Sequence, residues 1–269
     1  CTYNEQVALT NIAGPSFTLS AQAATCGNSN GRVVVNGVTG GTSPYTYSKD
    51  GTTFQSSTSF TGLEEGTYTI TVKDANGCML AKTVEVVNIP GPSDVALAGK
   101  SSTCGAANGT VTVGGITGGT APYTYAMDGS SYQPSTTFAS VLAGEHTVTV
   151  KDANGCTFSK KITIDNIAGP TNLTATATAA TCGENNGSLT VGAVTGGTAP
   201  YTYSKDGVNF QATTAFAGMA PGSHTITVKD ANGCTFAKQV VIEDIAGPAN
   251  YELATVATTC GAANGSITV

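Results

Sequence analysis

Tryptophan is absent from the 269 residues, histidine occurs twice, methionine three times, and charged side chains make up only 10%. Each shortage excludes something. Two histidines in so long a chain leave little for imidazole-based catalysis or a histidine-rich metal site. Eleven Lys and Arg against seventeen Asp and Glu give a net charge of −6, which argues against a nucleic-acid backbone as partner, because that affinity comes from clustered cations. Apolar runs are only a few residues long, far below the roughly 20 needed to cross a bilayer as a helix, so no membrane span is expected here. The first residues, Cys1-Thr2-Tyr3-Asn4-Glu5, show neither a basic stretch nor an apolar one, placing any signal peptide outside this sequence or already removed. What is present is 40% apolar residues, enough for a core, and 34 glycines.

The glycines, the cysteines and the motifs around them recur every 78 residues. Cys26, Cys104, Cys182 and Cys260 stand 78 apart, as do Cys78, Cys156 and Cys234. VTGGTSPYTYSKDG, ITGGTAPYTYAMDG and VTGGTAPYTYSKDG begin at Val38, Ile116 and Val194, and VKDANGC follows from Val72, Val150 and Val228. A unit of this length repeated so closely marks duplication of a whole domain. Short Pro/Gly joints end each unit: Ala13-Gly14-Pro15, Pro90-Gly91-Pro92, Ala168-Gly169-Pro170 and Ala246-Gly247-Pro248. Their prolines fix φ and favour an extended path, which predicts a semi-rigid string of domains. The expected organisation is the last strand of a preceding repeat at 1–14, repeats at 15–91, 92–169 and 170–247, and the first strands of a following repeat at 248–269.

Within a unit, apolar residues alternate with Thr, Ser or charge. Tyr68, Ile70 and Val72 point one way and Thr69, Thr71 and Lys73 the other, the period of two that marks half-buried strands. The alternation of Val33 and Val35 slips before Val38, which predicts a bulge at Gly37. Turn signals bound every run: Gly40-Gly41 with Pro44, Asp50-Gly51, Gly62 to Gly66, and Asn76-Gly77. About seven short strands per 78 residues, with no helical period, predict an all-β tandem array of immunoglobulin-like antiparallel β-sandwich domains. Leu63-Glu64-Glu65-Gly66-Thr67-Tyr68 has the form of a tyrosine corner, whose Tyr bonds back to upstream backbone. His146 and His224 replace that Tyr, and a structural role is expected, a ring nitrogen taking over the hydrogen bond.

The combined run GGT-x-PYTYS-x-DG followed by F-x-GL-x-x-GTYTITVKDANGC resembles the SprB-type repeat of very large surface adhesins in gliding Bacteroidetes bacteria. The resemblance covers essentially the whole chain. It implies export through the type 9 secretion pathway, extracellular display on the cell surface, and a part in gliding or adhesion.

Eight regularly placed cysteines point to an oxidising compartment and a disulfide framework. Zinc would need four clustered ligands, whereas the cysteine spacings alternate between 52 and 26 with no histidine nearby, and no base recurs beside a cysteine to make it a nucleophile. Asp74 and Asn76 are too few for a calcium loop, and Asn76-Gly77 suits a type I′ hairpin instead. Tyr45 and Tyr47, repeated at 123, 125, 201 and 203, fit a sandwich core better than a carbohydrate-stacking platform. No Ser/His/Asp set, carboxylate pair in a cleft or phosphate loop is visible, so neither an enzyme nor a cofactor is expected. Two classes remain: a stalk that contacts chiefly the neighbouring repeats of its own chain and reaches an external surface or polysaccharide through other parts of the protein, or an array of carbohydrate- or surface-binding modules gaining avidity by repetition. The loop residues vary between copies while turns, apolar positions and cysteines repeat, which favours the stalk.

Disulfide connectivity turns on strand count. With a short strand and a turn at Ser56-Ser57 before the next strand, Cys26 and Cys78 fall at opposite ends of their domain, and Cys26 meets Cys156 while Cys104 meets Cys234. Cys1, Cys78, Cys182 and Cys260 then have partners outside this sequence. If Thr52 to Leu63 is instead one strand, parity reverses and the pairs are Cys26 with Cys78, Cys104 with Cys156, and Cys182 with Cys234. The interdomain pairing is preferred, because the segment has room for both strands.

Overall fold

A computed structural model describes residues 13–248, together with 5, 11, 252–258, 260, 261 and 263–268. The described residues contain strands and turns and no helix. The described residues separate into two compact units, one within 1–99, 111–139 and 145–163, the other within 100–110, 140–144 and 164–269.

In the first unit, the first repeat has eight strands: β1 (Ser16–Gln22), β2 (Ala24–Thr25), β3 (Gly31–Thr39), β4 (Thr46–Ser48), β5 (Ser59–Leu63), β6 (Gly66–Lys73), β7 (Met79–Val86) and β8 (Asn88–Ile89). One sheet runs β1-β3-β5 and the other β4-β6-β7, both antiparallel, and β2 pairs with β8 in parallel. This is the immunoglobulin-like sandwich expected from the alternation. Inward residues come from both sheets: Phe17, Val33, Val35, Phe60 and Leu63 from one, Tyr47, Ile70, Val72 and Val86 from the other. Their burial follows the period of two along each strand. The slip after Val35 is a bulge. Ser16 faces Thr39 but Thr18 faces Asn36, so one extra residue stands in β3 beside Gly37, whose φ is +60°. The third repeat, in the second unit, has the same irregularity between Leu173 and Ala175.

The segment from Thr52 to Leu63 is not one strand. Gln55 makes a single antiparallel bridge to Tyr47, donating to its carbonyl at 2.9 Å and accepting from its N–H at 2.8 Å. The Gln55 side-chain amide then donates to the carbonyls of Ser57 and Ser59, tying the turn that carries the chain across to β5 in the other sheet. Gln133 and Gln211 make the equivalent bridges to Tyr125 and Tyr203.

The strands of the second repeat follow the same two orders. In the second unit, the third repeat pairs Pro170–Thr178 with Gly187–Gly196 and that with Ala215–Met219, while Thr202–Ser204, Gly222–Lys229 and Thr235–Ile242 form the opposite sheet. Its core is Leu173, Leu189, Val191, Tyr203, Phe216, Met219, Ile226, Val228 and Ile242. Beyond it, Ala254–Val256 pairs antiparallel with Ser266–Thr268.

Candidate functional site at the repeat joints

The chemistry of the chain gathers where one repeat gives way to the next. In the first unit the parallel pair of β2 and β8 sets one side of a joint. Ala24 N–H donates to Val87 O at 2.9 Å, Cys26 N–H to Ile89 O at 3.1 Å, and Gly27 N–H to the Asn88 side-chain oxygen at 3.1 Å. Thr25-Cys26-Gly27-Asn28 is a tight turn closed by Asn28 N–H on Thr25 O. Both central residues are left-handed, Cys26 at φ +59° and Gly27 at +66°, the signature of a type I′ turn. Asn30 braces it, its side-chain oxygen accepting from Thr25 N–H at 2.8 Å and its amide donating to Thr25 Oγ1 at 2.8 Å.

The other side of the joint is a β-hairpin built around an aspartate. In the first repeat Asp74, buried, accepts Thr42 N–H on Oδ2 at 2.9 Å and the N–H groups of Asn76 and Cys78 on Oδ1 at 3.0 and 2.8 Å. These donors, Thr42 foremost, hold its carboxyl below the ordinary carboxylate range. Asp152 and Asp230 make the same three bonds in the next two copies. This corrects the hairpin expectation. Gly77 has φ +86° while Asn76 is not left-handed, so the turn is not type I′. The carboxylate, by accepting from the two N–H groups that follow, dictates the backbone instead. With both oxygens engaged by backbone donors, Asp74 offers a cation little, and among the described residues no group of three or more His, Cys, Asp or Glu stands close enough to hold a metal ion.

The structure brings the two sides together through sulfur. Cys26 is bonded to Cys156, and Cys104 to Cys234, each with Cα atoms 5.2 Å apart and 130 residues apart in sequence. Cys26 and Cys78 lie at opposite ends of the first repeat. β6 and β7 run in register from Gly66 opposite Val86, the end leading to β8 and Cys26, to Lys73 opposite Met79, the end carrying Cys78. Eight residues of strand separate these ends by about 24 Å, and a disulfide needs Cα atoms within about 7 Å. Cys78, Cys182 and Cys260 are free and exposed, and Cys1 lies outside the described residues. The joint glycine completes the arrangement. A Cβ on Gly91 would stand 2.5 Å from Cys156 Cβ, and Gly169 lies equally close against Cys234.

Two further features were not read from the sequence. Lys82 donates from the edge strand β7 to Phe17 O of β1, and Lys160 and Lys238 reach Val95 O and Leu173 O at 2.9 and 2.8 Å, so one lysine per repeat ties the last long strand to the first. Lys160 also meets Asp94 at 2.8 Å. The 78-residue recurrence of these lysines was the available signal. Lys73, Lys151 and Lys229 cover the rings of Phe54, Tyr132 and Phe210 at 4.2, 4.1 and 3.9 Å, pinning the loop that follows each SKDG-type turn.

The corner residues behave as structural groups. Tyr68 O–H donates to Glu64 O at 3.1 Å, and His224 Nε2 makes the same four-residue return to Ala220 O at 2.8 Å. His146 Nδ1 lies 2.7 Å from Asp128 Oδ2. Tyr47, Tyr125 and Tyr203 are core, while Tyr45 is half-buried with its O–H on Gly40 O at 2.7 Å, so the Tyr pairs build the sandwich.

The class these features define is a tandem array of immunoglobulin-like repeats cross-linked from one repeat into the next. A family model described as the SprB repeat matches residues 100–131 and 174–209, overlapping stretches of the second and third copies, in agreement with the resemblance read from the motifs. No curated protein matches the chain. Among solved structures, the N-terminal eight immunoglobulin domains of Down syndrome cell adhesion molecule are similar at 13% identity and TM-score 0.38, covering 87% of this chain and 37% of that one. Domains 4–9 of the surface layer protein SbsC are similar at 15% identity and TM-score 0.26, covering 92% of this chain and 49% of that one. A structure from a 1.5-MDa bacterial ice-binding adhesin is similar at 13% identity and TM-score 0.33, covering 88% of this chain and all of that one.

Proposed function

We propose that the chain is a structural segment of a very long, exported cell-surface adhesin, a disulfide-stapled stalk that supports surface adhesion or gliding. Its repeats run 15–91, 92–169 and 170–247, with parts of neighbouring repeats at 1–14 and 248–269. The observation that carries this reading is the placement of the cysteines: Cys26–Cys156 and Cys104–Cys234 each spend a covalent bond on joining successive repeats and none on closing a repeat upon itself. A spacer needs its joints fixed, and a set of independent binding modules does not. Two cystines also fit an oxidising, extracytoplasmic location, for which the SprB resemblance supplies a route, type 9 secretion, and a form, a surface filament. On this reading Cys78 and Cys182 serve the same linkage toward the preceding and following repeats, as do Cys1 and Cys260, and contact with an external surface or polysaccharide belongs to other parts of the protein. The segment itself is not an enzyme and takes no cofactor.

The test is a glycan array and a surface-binding assay on the oxidised three-repeat protein. The stalk reading expects no saturable binding. Saturable binding that a soluble sugar competes away would overturn it and make each repeat a recognition module.

A further inference from the structure

Taking the stalk reading as the reason the chain is pulled at all, we propose that the two disulfides re-route tension so that the chain's extensible length is less than half of its contour, with all but one edge strand of the first and third repeats shielded from load. The argument is one of covalent connectivity. From Cys1 the chain reaches Cys26 in 25 residues and crosses by disulfide to Cys156. It then runs backward 52 residues to Cys104, crosses again to Cys234, and reaches Val269 in a further 35. This route has 112 residues, against 268 along the main chain. The omitted stretches run from Cys26 to Cys104 and from Cys156 to Cys234. Each is one 78-residue period.

Those stretches contain nearly all of the first core, from Val33 to Val86, and most of the third, from Leu173 to Val228. Once the disulfide route is taut, neither of these stretches can be drawn out, however hard the ends are pulled. Besides the edge strands Ser16–Gln22 of the first repeat and Thr235–Ile242 of the third, the route crosses the middle stretch between Cys104 and Cys156, which is loaded from its C-terminal side toward its N-terminal side.

The two rungs are coupled, which separates this scheme from ordinary stapling. At about 3.5 Å per fully extended residue, the intact route stretches to about 40 nm. Removing either rung alone leaves a route of 138 residues, about 49 nm. Removing both leaves about 94 nm. The first loss therefore releases about 9 nm and the second about 45 nm. Three independent intradomain staples would instead hide 52 residues each and release about 18 nm apiece.

The experiment is single-molecule stretching of the full chain from its two ends, with Cys1, Cys78, Cys182 and Cys260 changed to Ser in every arm. The arms are the otherwise intact chain, Cys26→Ser, Cys104→Ser, and the double variant, with non-reducing peptide mapping of the same samples. Final contour length does not depend on whether a variant folds, so a destabilised arm is still informative. Limits near 40, 49, 49 and 94 nm support the proposal. An intact chain that extends to 94 nm, or equal increments for the first and second rung, overturns it. Neither result bears on ligand binding, so the stalk reading stands or falls separately on the glycan and surface assays.

Discussion

Asp230→Ala tests the hairpin that presents Cys234 to its partner. The carboxylate accepts three backbone N–H groups, from Thr198 at 3.0 Å, Asn232 at 2.9 Å and Cys234 at 2.8 Å, while being almost wholly buried. At the low end for bonds to a charged group, about 1.5 kcal/mol each, the three together come to about 4.5 kcal/mol. Thr198 and Asn232 sit at the surface, where water re-engages the freed donors, so the expected local loss is about 3 kcal/mol. Native-state hydrogen exchange reads this residue by residue. The amides of Thr198, Asn232 and Cys234 should lose about 100-fold in protection, while Ile226 and Leu189 in the core change little. Asp230→Asn retains one acceptor oxygen and should lose about 10-fold, chiefly at Thr198. Protection at all three amides within about threefold of the parent would refute the idea that this carboxylate organises the turn.

Complete thiol reduction should lower thermal stability, since each rung closes 130 residues and loop-closure entropy for that length is about 5 kcal/mol; a midpoint unchanged to within about a degree would rule out the stapling role. His224→Phe removes the donor to Ala220 O and should destabilise the third repeat by about 1 kcal/mol, whereas His224→Tyr restores a corner like that of Tyr68, and equal stability of the two variants would contradict the assignment. Asp128 has its carboxyl pulled below its ordinary 3.8, first by His146 and then by Thr147 N–H, so its contribution is present above that value and lost as pH falls through and below it. The parent should therefore lose its advantage over Asp128→Asn in denaturant titrations below about pH 4, and parallel curves down to pH 2 would count against the pair.

The sandwich was legible because Ile70 and Val72, or Val33 and Val35, cannot alternate with polar neighbours for long without specifying a buried face. The bulge at Gly37 showed for the same reason, as a break in parity. The turn type at Asn76-Gly77 was misread because the pair was considered without Asp74, whose carboxylate competes for the same backbone N–H groups. The I′ geometry sits instead at Cys26-Gly27, where a left-handed cysteine is unusual enough that residue preference gives no warning. Lys82 looks like any solvated lysine in sequence, and only the fold brings Phe17 O within its reach. Disulfide connectivity hung on whether Gln55 belongs to a separate strand, and one bridging residue is below what periodicity can resolve.

The disulfides also bear on what happens when the chain is cut. Every peptide bond between Cys26 and Cys234 is spanned by at least one cystine, and those between Cys104 and Cys156 by two. A protease that clips an exposed loop, at Lys49 in the first repeat or at Val208 in the third, leaves two polypeptides still joined by sulfur. Such a nicked molecule runs as one species until it is reduced. Cleavage of a surface loop is thereby uncoupled from loss of covalent continuity along the chain.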